Sequence, residues 1–290
     1  MIHGVYVATI EDGTPPPWFN ESRMALLAKG DEEGDNELVV RTPATTRPLS
    51  LSNTSRKLVV KLLDSSMAAM ATATVSREQS GFVRGRRIHD AVLAIESSAI
   101  ASTIDDPEDG AMVFLDQRAA FPSVARNFVF FVLQAMGVPK FIINAIKKLY
   151  DNNWAQVSFG NSEVVEFQML QGIRQGCPLS GTLWAILFDP VIRLLSKQVE
   201  YKCSRLSAYA DDLALVLHSL RTCLPRLEAA LAAMSSSTRL ELNFDKTDCA
   251  SLLEALRLHY QHHLHHRALL LHCQVRLLRQ VPGNLGGAPC

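Results

Sequence analysis

The chain has 290 residues, an apolar fraction of 48% and equal numbers of basic and acidic residues, 29 of each. This length fits one large domain or two small ones, and the neutral charge balance gives no global sign of nucleic-acid binding, so any basic surface has to be local. The six cysteines are scattered without a CxxC pair, which argues against a zinc ribbon or a redox motif and favours reduced intracellular thiols.

The N-terminal segment 1–40 shows little periodicity. It contains PPP at 15–17 and the acidic run DEEGDNE at 31–37, so we expect a poorly ordered segment with one short helix at ESRMALLAKG. No basic stretch followed by an apolar one stands at its start, and the chain has no apolar run of about 18 residues. We therefore expect neither a signal peptide nor a membrane span.

A basic region follows at 41–110, with arginine and lysine recurring up to Arg87. Within it, LVVKLLDSSMAAMA and RRIHDAVLAIESSAIAS have the apolar spacing of helices. The segment 111–250 then mixes strands with helices. It begins with AMVFLD, a short apolar run that predicts a buried strand ending at Asp116.

The next elements alternate between helix and strand signals. Pro122 and Ser123 predict the start of a helix that runs to Gly137, and PKFIINAIKKLYDN predicts another. WAQVSFGNSEVVEF alternates around Gly160-Asn161, which predicts a hairpin near 154–168.

A Gly/Pro loop, QGIRQGCPLSG, precedes a long helical pattern, GTLWAILFDPVIRLLSKQV. Ser180 is a candidate N-cap for that helix, and Pro190 within the pattern predicts a kink or an early end. RLSAYA and LALVL predict two strands joined by a turn, Leu224 to Met234 an amphipathic helix, and LELNFDKT a further strand and turn. Without a βαβ period or a GxGxxG motif, the order favours an α+β fold with helices on one face of a sheet.

Two adjacent aspartates, Asp211 and Asp212, stand in the otherwise apolar stretch SAYADDLALVL at 207–217. Carboxylates in such a setting are costly unless they are paired or bound to a metal. At the tip of a hairpin both can crowd one side, and their oxygens suit Mg²⁺ or Mn²⁺. Asp116 is the natural third carboxylate of a two-metal site for phosphoryl chemistry. Taken alone, each of these aspartates also fits a solvated turn.

Four blocks occur in a fixed order: VFLDQRAAFPSV, QGIRQGCPLSG, AYADDLALV and LNFDKT. They resemble motifs A to D of the reverse transcriptases, most closely those of non-LTR (LINE-type) retrotransposons. RPLSLSNTSRK and QSGFVRGRRIHDAV are similar to the finger segments that precede motif A in this group. The resemblance covers roughly residues 47–250, and one block departs from it, because AFPSV stands where many relatives have AFDSV.

The resemblance implies an α+β right-hand polymerase fold, with fingers, and a palm whose antiparallel sheet is backed by helices. Residues 41–110 would form a fingers-like region and 111–250 the palm, with a fingers hairpin near 154–168. After motif D only the His-rich tail 251–290 remains, so we expect a missing or vestigial thumb. In that tail His259 and His263, or alternatively His262 and His266, have helical zinc-ligand spacing without a suitable partner, and we interpret the tail as degenerate.

The resemblance also implies the chemistry. Asp116, Asp211 and Asp212 would bind two Mg²⁺ ions, with Mn²⁺ as an alternative and Asp212 as the weaker ligand. The reaction would be RNA-templated DNA synthesis, the transfer of a dNTP onto a primer 3′-OH. The implied partners are an RNA template, a DNA primer and a dNTP. No membrane or obligate protein partner is expected, and the resemblance places the protein inside the cell, in the nucleus or cytoplasm.

Six further residues would bind the nucleotide. Phe121 would lie under the incoming sugar and exclude a 2′-OH, with plain core packing as the alternative interpretation. Gln175 and Gly176 would contact the nucleotide or the template base beside it. The remaining three are basic, and each alone also fits a solvated surface charge: Arg47 and Lys57 would meet the triphosphate, and Lys246 would lie near the leaving pyrophosphate as a proton donor.

Two alternative functions remain open. A catalytically silent remnant would keep the palm fold and at most bind nucleic acid, and the missing thumb favours it. An RNA-dependent RNA polymerase is disfavoured by Phe121 and by YADD in place of a GDD-type turn. The intact aspartates Asp116, Asp211 and Asp212 favour retained chemistry.

Overall fold

The computed structural model describes residues 15–30, 41–42, 45–105, 109–159, 163–200 and 204–252. The strands in these ranges are β1 (Ser22–Ala28), β2 (Thr46–Ser52), β3 (Ala111–Leu115), β4 (Trp154–Phe159), β5 (Glu163–Gln168), β6 (Arg205–Tyr209), β7 (Asp212–Leu217) and β8 (Asp248–Ser251). The helices are α1 (Thr54–Thr74), α2 (Ile88–Asp105), α3 (Ala120–Ser123), α4 (Arg126–Ala135), α5 (Lys140–Tyr150), α6 (Ser180–Val199) and α7 (Leu220–Thr238). The fold is therefore mixed, as the sequence predicted.

One sheet, which we call the central sheet, has the strand order β6-β7-β3-β8 with every pair antiparallel. Along each strand, successive side chains point to opposite faces of the sheet and therefore pack into two different hydrophobic clusters. Val113 and Leu215 face the large core that contains α6, whereas Met112 and Val216 pack with Ile95 of α2 on the other side. Helices thus cover both faces of the central sheet, and the expectation of helices on one face was wrong.

The second sheet, which we call the N-terminal sheet, has the order β2-β1-β4-β5. β4 and β5 form the predicted antiparallel hairpin, whose turn at 160–162 lies outside the described residues. Strand β1 corrects two expectations for segment 1–40, because residues 22–28 are neither a loop nor a helix. β1 pairs with β2 on one side and with β4 on the other, and these distant partners outweigh the local helical pattern.

Helix α6 is buried along most of its length and forms the centre of the large core. Its N-cap is Leu179, with no side-chain hydrogen bond, so Ser180 begins the helix and does not cap it. The helix continues through Pro190 to Val199, so an early end was the wrong expectation. The carboxylate of Asp189, just before the proline, accepts hydrogen bonds from the backbone N–H of Ser76 (2.7 Å) and from Arg193 (2.6 Å).

Two other elements differ from the sequence predictions. The helix expected from Pro122 to Gly137 is split into α3 and α4, because the Ala125 N–H between them donates to the Thr238 carbonyl. The strand expected in LELNF is only a bridge between Leu242 and Gln117, and β8 follows the turn instead. The His-rich pairs of the tail lie outside the described residues, and the proposed domain boundaries stay predictions.

No helix in the described ranges combines the length and the hydrophobicity needed to cross a membrane.

Candidate active site

Three carboxylates lie at one end of the central sheet. Asp116 directly follows Leu115, the last residue of β3, and Leu115 pairs with Leu213 of β7. Asp212 is the first residue of β7, and Asp211 precedes it in the two-residue loop that joins β7 to β6. The antiparallel register therefore sets Asp116 beside Asp212, with Asp211 at the adjacent tip.

The charges of these aspartates act on one another. The pKa of Asp211 is raised to about 6, first by burial and then by the neighbouring carboxylates of Asp212 and Asp116. A hydrogen bond from its own backbone and the charge of Arg47 oppose this shift. Such a shift is typical of carboxylates that share one site without enough positive charge among them.

Asp212 shows the same effect from the other side of the loop. Its pKa is raised by partial removal from water and then by Asp116, while Lys246 opposes the shift. The site therefore contains more negative charge than its basic neighbours neutralise. Charge imbalance of this kind in a cleft marks a functional-site candidate.

Asn243 fixes the position of Asp116. Its side-chain Nδ2 donates to Asp116 Oδ2 at 2.9 Å, and its backbone N–H donates to the Asp116 carbonyl at 2.9 Å. The turn after Asn243 is closed by the backbone N–H of Lys246, which donates to the Asn243 carbonyl at 3.0 Å. Sequence reasoning missed this asparagine, although it stands in the LNFDKT block whose lysine was singled out.

An aromatic stack is built on Phe121, which stands five residues after Asp116 in the chain. The ring of Phe121 is stacked on Trp184 of α6 with centroids 4.8 Å apart, and Trp184 is stacked in turn on Phe188 at 5.1 Å. Phe82 meets the Phe121 ring edge-on at 6.0 Å and is 52% exposed. Phe121 itself is half-buried, so it combines packing against the core with an accessible portion.

The loop before α6 is tied to β2 of the N-terminal sheet and to helix α3. The Gln175 carbonyl accepts a hydrogen bond from the Ser50 N–H of β2 at 2.9 Å, and the Phe121 carbonyl accepts one from the Ile173 N–H at 2.8 Å. Gly176 has φ +90°, and a Cβ there would come within 2.8 Å of the Ser50 carbonyl oxygen. Glycine is required at this point, because the backbone is left-handed and the neighbouring strand leaves no room.

The three predicted basic residues separate into two groups. Arg47, on β2, and Lys246, in the turn after Asn243, both act electrostatically on the carboxylates. Lys57 is exposed in the first turn of α1 and is not among the charges that shift the pKa values of Asp211 and Asp212. Arg47 and Lys246 are thus linked electrostatically to the carboxylates, and Lys57 is not among the residues that shift them.

Comparison with known proteins places this arrangement in a family. The family described as "Reverse transcriptase (RNA-dependent DNA polymerase)" matches residues 31–268, most of the chain. The chain belongs to the reverse transcriptase family.

The relatives of this reverse transcriptase chain come from retrotransposable elements. It is 28% identical over 259 residues to the "Transposon TX1 uncharacterized 149 kDa protein" of Xenopus laevis, which covers 87% of this chain and 19% of that protein. It is 24% identical over 241 residues to the "Retrovirus-related Pol polyprotein from type-1 retrotransposable element R2" of Popillia japonica, covering 80% and 32%. The predicted resemblance to non-LTR elements is confirmed, and the chain spans a third or less of these relatives.

Solved structures agree on the fold. An apo telomerase from Candida tropicalis, truncated from its C-terminal domain, superposes with a TM-score of 0.57 at 12% identity, over 84% of this chain and 53% of the telomerase. Telomerase from Candida albicans, in complex with a fragment of telomeric RNA, gives the same TM-score at 10% identity, over 80% and 43%. At these identities the likeness shows a shared polymerase-type fold.

The reverse transcriptase site suits divalent cations by its donor chemistry. Its carboxylate oxygens are the ligands that Mg²⁺ and Mn²⁺ prefer, and the raised pKa of Asp211 shows negative charge that a cation would neutralise. Within the described residues, however, no group of three or more His, Cys, Asp or Glu side chains is arranged to hold a metal ion. The link among these aspartates that the structure shows is therefore electrostatic.

Proposed function

We propose that the chain catalyses RNA-templated DNA synthesis, joining a dNTP to a primer 3′-OH. The observation that carries the proposal is the end of the central sheet, where the Asp211 pKa is raised to about 6 by burial, Asp212 and Asp116. In this proposal the central sheet is the palm, and the N-terminal sheet with the region before β3 forms the fingers. The RNA template, DNA primer and dNTP would meet in the cleft between them.

Asp116, Asp211 and Asp212 would hold two Mg²⁺ ions, or Mn²⁺ in their place, with Asp212 the weaker ligand because it is more exposed than Asp211. Bound there, the cations would lower the pKa of the primer hydroxyl and stabilise the leaving pyrophosphate. Asn243 would keep the Asp116 carboxylate in a fixed orientation through its 2.9 Å hydrogen bond. Carboxylate ligands are commonly oriented by such partners.

Phe121 would select deoxyribonucleotides. Its ring is held from below by Trp184 at 4.8 Å, so it cannot recede when a ribose 2′-OH approaches. Trp184 is fully buried, and displacing it would disturb the core around α6. The half-exposed portion of Phe121 is thus a firm surface for a sugar, which favours dNTP over NTP.

The remaining contacts would hold the triphosphate and the base. Arg47 lies within electrostatic range of Asp211 and would bind phosphate through its guanidinium. Lys246 lies on the side of Asp212 and would donate a proton towards the pyrophosphate. Gln175 and Gly176, held against β2, would allow the backbone to approach the nucleotide or the template base closely.

Primer extension on an RNA template tests the proposal directly. The chain is supplied with dNTPs or with NTPs, and with Mg²⁺ or Mn²⁺, and is compared with a variant carrying Asp211→Asn and Asp212→Asn. Metal-dependent incorporation of dNTP, lost in the variant, is the expected result. A wild-type chain that is folded, binds primer–template and incorporates nothing would contradict it.

A second candidate is a catalytically silent remnant that binds nucleic acid. It is favoured by the finding that the described residues contain no group of side chains arranged to hold a metal. Binding of an RNA–DNA duplex by the wild-type chain and by the Asp211→Asn, Asp212→Asn variant separates the two. The remnant would bind duplex equally in both forms without any response to Mg²⁺ or Mn²⁺.

A further inference from the structure

The side chain of Gln79 is fully buried against the loop that carries Asp211. Its Nε2 donates to the Ala210 carbonyl at 3.0 Å, and its Oε1 accepts from the Ala210 N–H at 2.9 Å. The same Oε1 accepts from the Gly81 N–H at 2.8 Å. One carboxamide therefore satisfies both backbone groups of the residue that precedes Asp211.

Ala210 needs this support because of its backbone conformation. Tyr209 pairs with Asp212, so only Ala210 and Asp211 form the hairpin loop, and such short loops require left-handed backbone. Ala210 has φ +59°, a region that side chains other than glycine rarely adopt. The carbonyl that Gln79 holds belongs to the peptide group shared with Asp211, so the hydrogen bond orients the start of the Asp211 residue.

The segment around Gln79 is itself anchored on the central sheet. It lies parallel to the free edge of β6, where the Ser80 N–H donates to the Ala208 carbonyl and the Ala208 N–H donates to the Glu78 carbonyl, both at 2.8 Å. Gly81 packs so closely on the loop that a Cβ would lie 2.2 Å from the Ala210 nitrogen. A larger side chain at Gly81, or a shift of its backbone toward the loop, would therefore displace the loop.

The partly buried side chain of Arg86 also holds this segment. The Arg86 guanidinium donates to the carbonyls of Gln79 (2.7 Å), Val75 (2.8 Å) and Ser76. The Ser76 N–H is bonded in turn to Asp189 of α6. Gln79 thus connects a rigid part of the core to the loop, and it does not belong to the loop's own strands.

We propose that Gln79 is a positioning residue for the metal ligand Asp211. It holds the Ala210–Asp211 peptide group in the orientation that presents the Asp211 carboxylate to a divalent cation. This inference rests on the proposed function, because it assumes that Asp211 is a ligand. A purely structural role for Gln79 would contribute to stability and leave the affinity for metal unchanged.

The test measures Mn²⁺ binding directly, by the loss of the free-ion signal in electron paramagnetic resonance, on the full chain. Gln79→Met keeps the length of the side chain and removes all three hydrogen bonds. The matched control is Asn20→Leu, since Asn20 is also a buried amide that donates to two carbonyls, those of Lys148 (2.6 Å) and Asp151 (2.7 Å), away from the loop. Thermal unfolding of each variant reports the stability effect separately.

We expect Gln79→Met to raise the Mn²⁺ dissociation constant about ten-fold, the usual effect of losing a residue that orients a ligand. Asn20→Leu is expected to lower Tm comparably and to leave the dissociation constant within about two-fold, since none of its bonds reaches the loop. In primer extension, the Mn²⁺ concentration for half-maximal rate should rise with Gln79→Met while KM for primer–template stays constant.

The outcomes separate the two claims. Suppose that wild type binds Mn²⁺ and that Asp211→Asn does not. Equal Mn²⁺ affinity in wild type and Gln79→Met would then overturn the role of Gln79 and leave the proposed function intact. A wild-type chain whose Mn²⁺ binding is unaffected by Asp211→Asn overturns the proposed function instead. Should Gln79→Met not fold, Gln79→Asn replaces it under the same criteria, because the shorter amide stays polar but cannot reach both groups of Ala210.

Discussion

The two sheets of this protein differ in how their residues meet solvent. In the central sheet the side chains of Leu215, Val216 and Leu217 are fully buried, and helices cover both faces. In the N-terminal sheet Leu27 is 50% exposed and Val164 60% exposed. The central sheet is also antiparallel throughout, whereas β1 and β4 of the N-terminal sheet pair in parallel over a short register.

The difference matches two tasks that the proposed function requires. Residues that must be held in a fixed geometry, the three aspartates, lie at the end of the buried sheet. Residues proposed to meet a substrate, such as Arg47, lie on the exposed one. Regions with few buried apolar contacts open at a lower free energy than packed cores. In the proposed function, the N-terminal sheet is therefore the part suited to adjust around a nucleotide, and the central sheet is the part suited to align the proposed metal ligands.

Truncating one leucine in each sheet gives the largest expected contrast. Leu215→Ala in the central sheet should lower the free energy of unfolding by about 2–5 kcal/mol, through lost burial and a cavity. Leu27→Ala in the N-terminal sheet should change it by less than about 0.5 kcal/mol, because that side chain is half exposed. Urea unfolding measures both. Similar losses in the two variants would contradict the comparison.

Phe121→Ala tests whether the Phe121 ring discriminates between deoxyribose and ribose. Removing the ring opens space above Trp184, so discrimination between dNTP and NTP in kcat/KM should fall by about 10- to 100-fold. Phe167→Ala, which removes an exposed ring from the N-terminal sheet, is the control and should leave this ratio unchanged. If only the overall rate falls with Phe121→Ala, the ring serves packing and not selection.

Arg47→Ala and Lys57→Ala compare two basic residues of the N-terminal part. Arg47 acts on Asp211 and Lys57 does not, so KM for dNTP should rise about ten-fold for the first variant, the effect of losing one charged hydrogen bond. For Lys57→Ala we expect a change below about two-fold, as for an exposed charge. Steady-state kinetics at one fixed salt concentration decides between the residues, and a larger effect at Lys57 would reverse their proposed roles.

The smallest expected effect is the pH dependence of stability from Asp211. Its folded-state pKa of about 6 lies above the ordinary 3.8, so the folded protein binds this proton more tightly than the unfolded chain does. The free energy of unfolding should therefore fall as pH rises from about 4 through about 6. Asp211→Asn should be more stable than wild type by about 1 kcal/mol above that range, after allowance for solvent screening, and equal to it near pH 4.

Thermal unfolding across this pH range in metal-free buffer measures the difference. A variant less stable than wild type at neutral pH would show that Asp211 makes a net stabilising contact. Added Mn²⁺ should raise the stability of wild type only, because a ligand that binds the folded state stabilises it.

The sequence predicted those parts of the site that depend on neighbours along the chain. The apolar run before Asp116 and the paired aspartates within SAYADDLALVL carry their strand and turn signals locally, and both form as expected. β1 was missed because its local pattern is helical and its strand partners, β2 and β4, lie elsewhere in the chain. Gln79 and Asn243 were missed for the same reason, since their partners lie 131 and 127 residues away. Side-chain contacts between residues so far apart in the chain produce no periodic pattern in the sequence.

The two-residue loop between Tyr209 and Asp212 limits how this part of the chain can vary in length. Side chains of β7 alternate between two hydrophobic clusters on opposite faces of the sheet. Inserting or deleting one residue in the strand near the loop would turn the side chains of each face toward the other face. A one-residue insertion or deletion in the strand beside the loop would therefore be more disruptive than most substitutions in the loop, so we expect natural variants to differ here in residue type and not in length.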